Sequence, residues 1–178
     1  MPTFTFRDIG HIDVIPILNL LSENDDWNNA YTELRKKEYP DIHNNVKAIP
    51  LQWSLENLGE NAEVSAPKTE FYDRYFDNKF FDELFSKFDE GYPIRIVLAM
   101  LKGNSSIAAH QDGSESLLNN QRIHIPIITN EHVLFTVSKT TRNLEVGNIT
   151  EINNDKLHSV ENNSSEDRVH LIIDWHPL

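Results

Sequence analysis

The chain has 178 residues, enough for one domain with a sizeable buried core, and no apolar run approaches the length of a membrane span. Its formal charge of −12 argues against a nucleic-acid partner, because duplex binding depends on clustered Lys and Arg. The lack of cysteine excludes disulfides, iron–sulfur ligation and thiol nucleophiles.

We expect a single domain, 1–178, without a signal peptide and located in the cytoplasm. Residues 1–92 should form N-terminal helices and strands that pack on a catalytic core formed by 93–178. Trp27, Tyr31 and Leu34 recur at helical spacing and predict a helix over 27–37 that begins near Asp25 or Asp26.

A second helix should begin after Asp77, which can cap it. Its apolar stripe should pack on the core rather than bind a substrate, and it consists of Phe80, Phe81, Leu84, Phe85 and Phe88. Core packing is also the favoured interpretation of four more aromatic residues, with the substrate mouth as the alternative; these are Trp53, Tyr72, Tyr75 and Phe76.

From residue 93 onwards the sequence has strand patterns separated by turn residues. Strands are predicted at 93–101, 122–128, 132–137, 147–152 and 168–175, with a further one leading to His110. This rhythm predicts a mainly β protein with packed helices, of the α+β kind. Its core should be a double-stranded β-helix, the jelly-roll architecture of cupins.

His110-Gln111-Asp112 is followed 48 positions after His110 by His158, and Arg168 comes ten positions later. Residues two apart on an extended strand point to the same side, so His110 and Asp112 can face one cavity while Gln111 points away. Two imidazoles and a carboxylate form the ligand set of a mononuclear Fe(II) site with positions open for a co-substrate and O₂. A guanidinium such as Arg168 can hold the far carboxylate of 2-oxoglutarate.

Other histidines are weaker candidates for the metal. His11-Ile12-Asp13 has the same spacing as the proposed motif but lacks a partner His and Arg at matching distances, so we expect His11 to be structural or exposed. His132 and His176 should be structural as well. His124 lies on the same strand face as Arg122, and His170 on the same strand face as Arg168. We expect both histidines to hydrogen-bond to the co-substrate or to a metal ligand.

Residues 94–178 resemble the aspartyl/asparaginyl β-hydroxylase-like branch of the 2-oxoglutarate- and Fe(II)-dependent dioxygenases. The segments that carry the resemblance are 122–126, 158–163 and 168–177. It implies that His110 and His158 bind iron, that Arg168 anchors 2-oxoglutarate, and that Arg122 makes a second basic contact near the co-substrate. The sequence departs from the animal enzymes of this branch, which lack an acidic ligand where Asp112 stands and carry a helical-repeat region.

In ligand set and size the protein is equally similar to small bacterial hydroxylases of free amino acids such as proline. The resemblance therefore implies hydroxylation of a C–H bond in an amino-acid side chain, coupled to conversion of 2-oxoglutarate to succinate. The amino acid would be Asp/Asn or Pro. The substrate is a small molecule or a peptide. Two alternatives remain, namely a non-catalytic metal-binding cupin that senses a small molecule and a Zn-dependent hydrolase that uses the same ligands without 2-oxoglutarate.

Overall fold

The computed structural model describes residues 3–53, 63–113 and 115–178. Strands in these residues are β1 (Phe6–His11), β2 (Val46–Gln52), β3 (Gly91–Leu101), β4 (Ser105–His110), β5 (Gln121–Ile128), β6 (Val133–Val137), β7 (Thr140–Arg142), β8 (Asn148–Ile152), β9 (His158–Asn162) and β10 (Arg168–Pro177). Helices are α1 (Ile15–Glu23), α2 (Ala30–Glu38), α3 (Pro40–His43), α4 (Tyr72–Tyr75), α5 (Asn78–Phe85) and α6 (Glu115–Leu118). None of the described helices is long and apolar enough to cross a membrane.

The strands form two antiparallel sheets. Six strands form the larger sheet in the order β1-β8-β5-β10-β3-β2, and four form the smaller one in the order β4-β9-β6-β7. From β3 to β10 the backbone passes back and forth between the two sheets, except at the β6–β7 hairpin. This confirms the predicted double-stranded β-helix. Strands β1 and β2, from the N-terminal half, form the two edges of the larger sheet.

The two faces of the larger sheet differ in chemistry. On β10, Val169, Leu171, Ile173 and Trp175 belong to an apolar core that also includes residues of α1, α4 and α5. The alternate residues of the same strand face the smaller sheet, where apolar packing is confined to a smaller cluster. The interior between the sheets therefore has room for polar side chains.

The two helix predictions had different outcomes. Asp77 caps α5 by accepting a hydrogen bond from the Phe80 N–H at 2.7 Å, and the aromatic stripe of α5 packs in the core as predicted. The predicted start of the first helix was wrong, because Asn29 caps it by accepting from the Thr32 N–H. Asp26 instead pairs with Arg74 and accepts a hydrogen bond from the hydroxyl of Tyr75.

Candidate metal and co-substrate site

The structure brings His110, Asp112 and His158 together at one end of the smaller sheet. His110 is the last residue of β4 and lies directly opposite His158, the first residue of β9. The two ring centroids are 4.3 Å apart. One ligand atom from each of the three residues lies within 4.8 Å of the other two. Two nitrogens and one carboxylate oxygen at this separation fit the coordination sphere of Fe(II).

Backbone carbonyls orient both imidazoles. Nδ1 of His110 is 2.8 Å from the Ala108 oxygen, and Nδ1 of His158 is 2.9 Å from the Lys156 oxygen. Because a carbonyl only accepts, Nδ1 of each ring carries the proton and Nε2 keeps its lone pair. A hydrogen bond of this kind holds a metal-binding histidine in the required tautomer.

Asp112 offers a buried oxygen to a cation. Its Oδ2 accepts no hydrogen bond from the described residues, and it lies 3.4 Å from Nη1 of Arg122 and 4.0 Å from Nε2 of His158. Burial opposes the charge of this carboxylate, but other effects outweigh it and lower the pKa of the carboxyl, and the largest of these is the positive charge of Arg122. Burial also lowers the pKa of His158 despite the nearby Asp112, so its imidazole is neutral and able to bind a metal.

Gln111 does point away from the other two members of the motif, as the strand alternation predicts. Its side chain is exposed and donates a hydrogen bond to the Asp155 backbone oxygen at 2.7 Å.

Asp174 connects two arginines on neighbouring strands. It lies directly opposite Arg95 on β3 and directly opposite Arg122 on β5. Its two oxygens accept from Nε and Nη2 of Arg122 at 3.0 and 3.2 Å, and Nε of Arg95 is 3.9 Å away. The partner of Asp174 is thus chiefly Arg122. Burial lowers the pKa of Arg122, but Asp112 and Asp174 outweigh this and raise it.

Deeper between the sheets, Arg168 lies in a cluster of uncharged groups. Its side chain is buried, and its Nη2 donates to Nδ1 of His170 at 2.6 Å. Nδ1 of His170 is also 3.3 Å from Nδ1 of His124. Burial lowers the pKa of Arg168 to about 9, and burial together with the Arg168 charge lowers the pKa of each histidine well below its usual value. At neutral pH the arginine is therefore charged and the histidines are neutral.

Several atoms of this cluster have no partner. Nε of Arg168, Nε2 of His170 and Nε2 of His124 are buried and make no hydrogen bond to the described residues. Among those residues, no carboxylate lies within 4.0 Å of the Arg168 guanidinium. A buried cation without a counter-charge is costly, so this cluster has the properties of a binding site for an anion.

The remaining histidines of the sequence analysis lie outside this region. His11 is exposed on β1, His132 is exposed beside Glu131, and Nδ1 of His176 is hydrogen-bonded to Asn120. The position of His11 agrees with the structural or exposed role expected for it, and that of His176 agrees with a structural role, whereas the exposed side chain of His132 does not support the structural role expected for it.

Sequence reasoning missed part of the site. Arg95 was a usable signal, because it is the one charged residue within the apolar run 93–101. Trp53 was expected in the core, but it is only half-buried and contacts the guanidiniums of Arg35 and Arg95. Nothing in the sequence around Arg35 distinguishes it from the neighbouring Lys36 and Lys37.

Solved structures share this fold. A viral collagen prolyl hydroxylase from Paramecium Bursaria Chlorella virus-1 is 11% identical with a TM-score of 0.57, and the match covers 99% of this chain and 98% of that one. A Pseudomonas putida prolyl-4-hydroxylase is 10% identical with a TM-score of 0.55, covering 99% and 94%. A 2OG-Fe(II) oxygenase family oxidoreductase from Burkholderia pseudomallei is 13% identical with a TM-score of 0.52, covering 74% and 67%.

A comparison with curated proteins finds no match. A family comparison does find one. Residues 76–177, more than half of the sequence, match the family described as aspartyl/asparaginyl beta-hydroxylase. The match includes both ends of the β-helix core and every residue of the His-Asp-His group and the Arg168 cluster. The chain belongs to the aspartyl/asparaginyl β-hydroxylase family, and it is a hydroxylase.

Proposed function

We propose that this enzyme hydroxylates a C–H bond in an amino-acid side chain. This step would be coupled to decarboxylation of 2-oxoglutarate to succinate, with O₂ as oxidant. His110, Asp112 and His158 would hold the Fe(II). The observation that carries the proposal is the convergence of their three ligand atoms within 4.8 Å around the buried Oδ2 of Asp112. When bound, iron in such a site supplies the redox chemistry needed to use O₂.

Arg168 is the proposed anchor for the far carboxylate of 2-oxoglutarate. It is buried, charged and without a carboxylate partner among the described residues, and its guanidinium fork matches a carboxylate. Arg122 lies against Asp112 instead, so we assign it to the end of the co-substrate that faces the metal.

Hydrogen-bond geometry assigns different roles to His170 and His124. Arg168 can only donate, so Nδ1 of His170 is an acceptor and Nε2 of His170 carries the proton. Nδ1 of His124, at 3.3 Å from the same nitrogen, would share this single acceptor through a longer hydrogen bond, and its Nε2 would then be an acceptor. We therefore propose that His170, together with Arg168, donates to the co-substrate carboxylate, whereas His124 holds His170 in place.

The protein side chains contribute mainly by positioning. His110, Asp112 and His158 would hold the metal and would leave coordination positions open for the co-substrate and O₂. The Arg168 cluster would fix the co-substrate at its far end, and Phe135 belongs to the buried apolar cluster beside it. Phe135 lies parallel to the His158 ring at 6.4 Å and edge-on to His124 at 5.2 Å, so it keeps the two regions apart.

For the substrate we propose Asp/Asn or Pro, either free or within a peptide. The family is described by aspartyl and asparaginyl hydroxylation, and two structures of similar fold are described as prolyl hydroxylases. Each of these substrates would be hydroxylated on a carbon beyond the backbone.

An anaerobic titration tests the proposal without knowledge of the substrate. The metal-free protein receives Fe(II) and then 2-oxoglutarate, and the weak visible charge-transfer band of the chelated keto acid is recorded. We expect the band in the wild type and in the His11→Ala control, whose histidine has the same spacing to an aspartate. It should be lost in His110→Ala. Iron binding without any band in the wild type would contradict the proposal and favour a metal-binding sensor or a hydrolase.

A further inference from the structure

A second group of cations lies beside the proposed metal ligands. The Arg35 guanidinium carbon is 5.3 Å from the centroid of the Trp53 ring, and that of Arg95 is 5.4 Å from the same ring. Arg95 neighbours Asp174, which binds Arg122, which in turn contacts Asp112. A continuous series of contacts therefore leads from α2 to the proposed iron ligand.

Arg35 differs from the other two arginines of this group. Arg95 and Arg122 both lie within 4.0 Å of the Asp174 carboxylate. In residues 3–53, 63–113 and 115–178, no carboxylate lies that close to Arg35. Its Nη2 is instead 3.2 Å from Nε2 of His43, in α3.

The charge of Arg35 persists in this setting. Burial and the neighbouring Arg122 lower the pKa of Arg35 to about 10, so it remains a cation at neutral pH. Burial and the charge of Arg35 lower the pKa of His43 to about 3, so that ring is neutral and its Nε2 accepts from Arg35. Nδ1 of His43 then carries a proton and is buried without a partner among the described residues.

Trp53 makes Arg35 suited to recognition. A guanidinium over an indole ring gains cation–π attraction and loses mobility, while its edge remains able to donate in a fork to a carboxylate. Among the described residues of this group, Asp174 pairs with Arg122 and lies near Arg95, and Asp112 is the proposed metal ligand, so neither carboxylate neutralises Arg35 directly. Of the three, Arg35 alone comes from the N-terminal half of the sequence, and it precedes the family match, which begins at residue 76.

We propose that Arg35, stacked on Trp53 and hydrogen-bonded to His43, binds a carboxylate of the substrate. This inference rests on the proposed function and narrows its substrate class to a carboxylic acid. The carboxylate is either the α-carboxylate of a free amino acid or the side-chain carboxylate of an aspartyl residue. A neutral prolyl or asparaginyl residue inside a peptide has neither group and is excluded.

Binding is measured by calorimetry, with the metal-free protein and with protein loaded anaerobically with Fe(II) and 2-oxoglutarate. The probes are L-proline, prolinamide, L-aspartate, L-asparagine, and peptides blocked at both ends that contain Asp, Asn or Pro. Loss of binding from proline to prolinamide identifies the α-carboxylate. Binding of the blocked aspartyl peptide but not the asparaginyl one identifies the aspartyl side group.

Substitutions at Arg35 test the residue itself. Arg35→Gln should weaken binding of the carboxylates by about 10- to 100-fold, as expected for loss of charge-assisted hydrogen bonds, and Arg35→Lys should recover part of it. The matched control is Lys37→Gln, which removes the same charge from an exposed position two residues along α2 and should bind like the wild type. Circular dichroism and thermal unfolding verify that each variant is folded.

Three results would overturn the proposal: equal binding by Arg35→Gln and the wild type, binding of the blocked prolyl or asparaginyl peptide as tight as that of the acids, or no binding of any carboxylate probe. If the charge-transfer band forms in the same preparation, only the carboxylate site has failed. If Arg35-dependent binding occurs without the band, the oxygenase assignment has failed and the anion site remains.

Discussion

Replacement of Asp174 by Asn should strongly destabilise the fold. The Asp174 side chain is only 3% exposed, and it makes two hydrogen bonds to Arg122 and lies near Arg95. Asn keeps the shape but removes the charge that both buried guanidiniums face. Loss of one partner from a buried ion pair costs about 3–5 kcal/mol, because the other charge is left uncompensated. For a protein of this size the melting temperature should fall by roughly 6–20 °C.

The free energy of unfolding is measured by urea denaturation of the metal-free protein. Asp8→Asn is the matched control, since Asp8 pairs with Arg142 on the surface with side chains that are 68% and 42% exposed. An exposed pair contributes about 0–1 kcal/mol. A loss from Asp174→Asn as small as that of the control would refute the reasoning. The variant should also bind Fe(II) more weakly, because Arg122 is then left with Asp112 as its carboxylate partner.

Three further predictions concern the co-substrate cluster and one helix. Arg168→Ala should raise the 2-oxoglutarate concentration needed for half-maximal binding by about 100-fold, and an unchanged value would contradict the anchor role. The pKa of His124 in the folded protein lies far below its unfolded value near 6.5. Below pH 6.5 the unfolded protein therefore binds a proton at this residue that the folded protein does not bind, so the free energy of unfolding decreases as the pH is lowered. His124→Gln should therefore reduce the slope of unfolding free energy against pH below pH 6.5 by about 1.4 kcal/mol per unit, as urea denaturation at several pH values would show. Asp77→Ala should cost about 1 kcal/mol by removing the α5 cap without changing Fe(II) affinity, as denaturation and metal titration would show.

Much of the β core could be predicted because strand alternation is a local property. Ile123, Ile125 and Ile127 are all buried on one side of β5, and the opposite side carries Arg122 and His124, as the pattern indicates. The His-x-Asp spacing likewise predicts that two side chains come together, although β4 ends at His110 and Asp112 lies two residues beyond it. Local periodicity was thus sufficient for most of the strands that carry the proposed site.

Predictions that depended on long-range contacts were less successful. The start of α2 could be either Asp26 or Asn29 from cap preference alone, and the choice depends on Arg74, 48 residues away, which takes the Asp26 carboxylate. The position of Trp53 depends on Arg95, which is brought beside it by pairing of β2 with β3. Such contacts follow from the register of the sheet and leave no local signal.

The arginines of the interior divide into two kinds by their partners. Arg122 is held by Asp174 through two hydrogen bonds, so most of its donor capacity is used within the protein and it can orient Asp112. Arg168 and Arg35 have only neutral histidines as hydrogen-bond partners among the described residues. In a protein with a formal charge of −12, two partly or fully buried cations without carboxylate partners concentrate positive potential at two separate points. We infer that one point serves the co-substrate and the other the substrate, which would let the enzyme bind two acids without exchanging them.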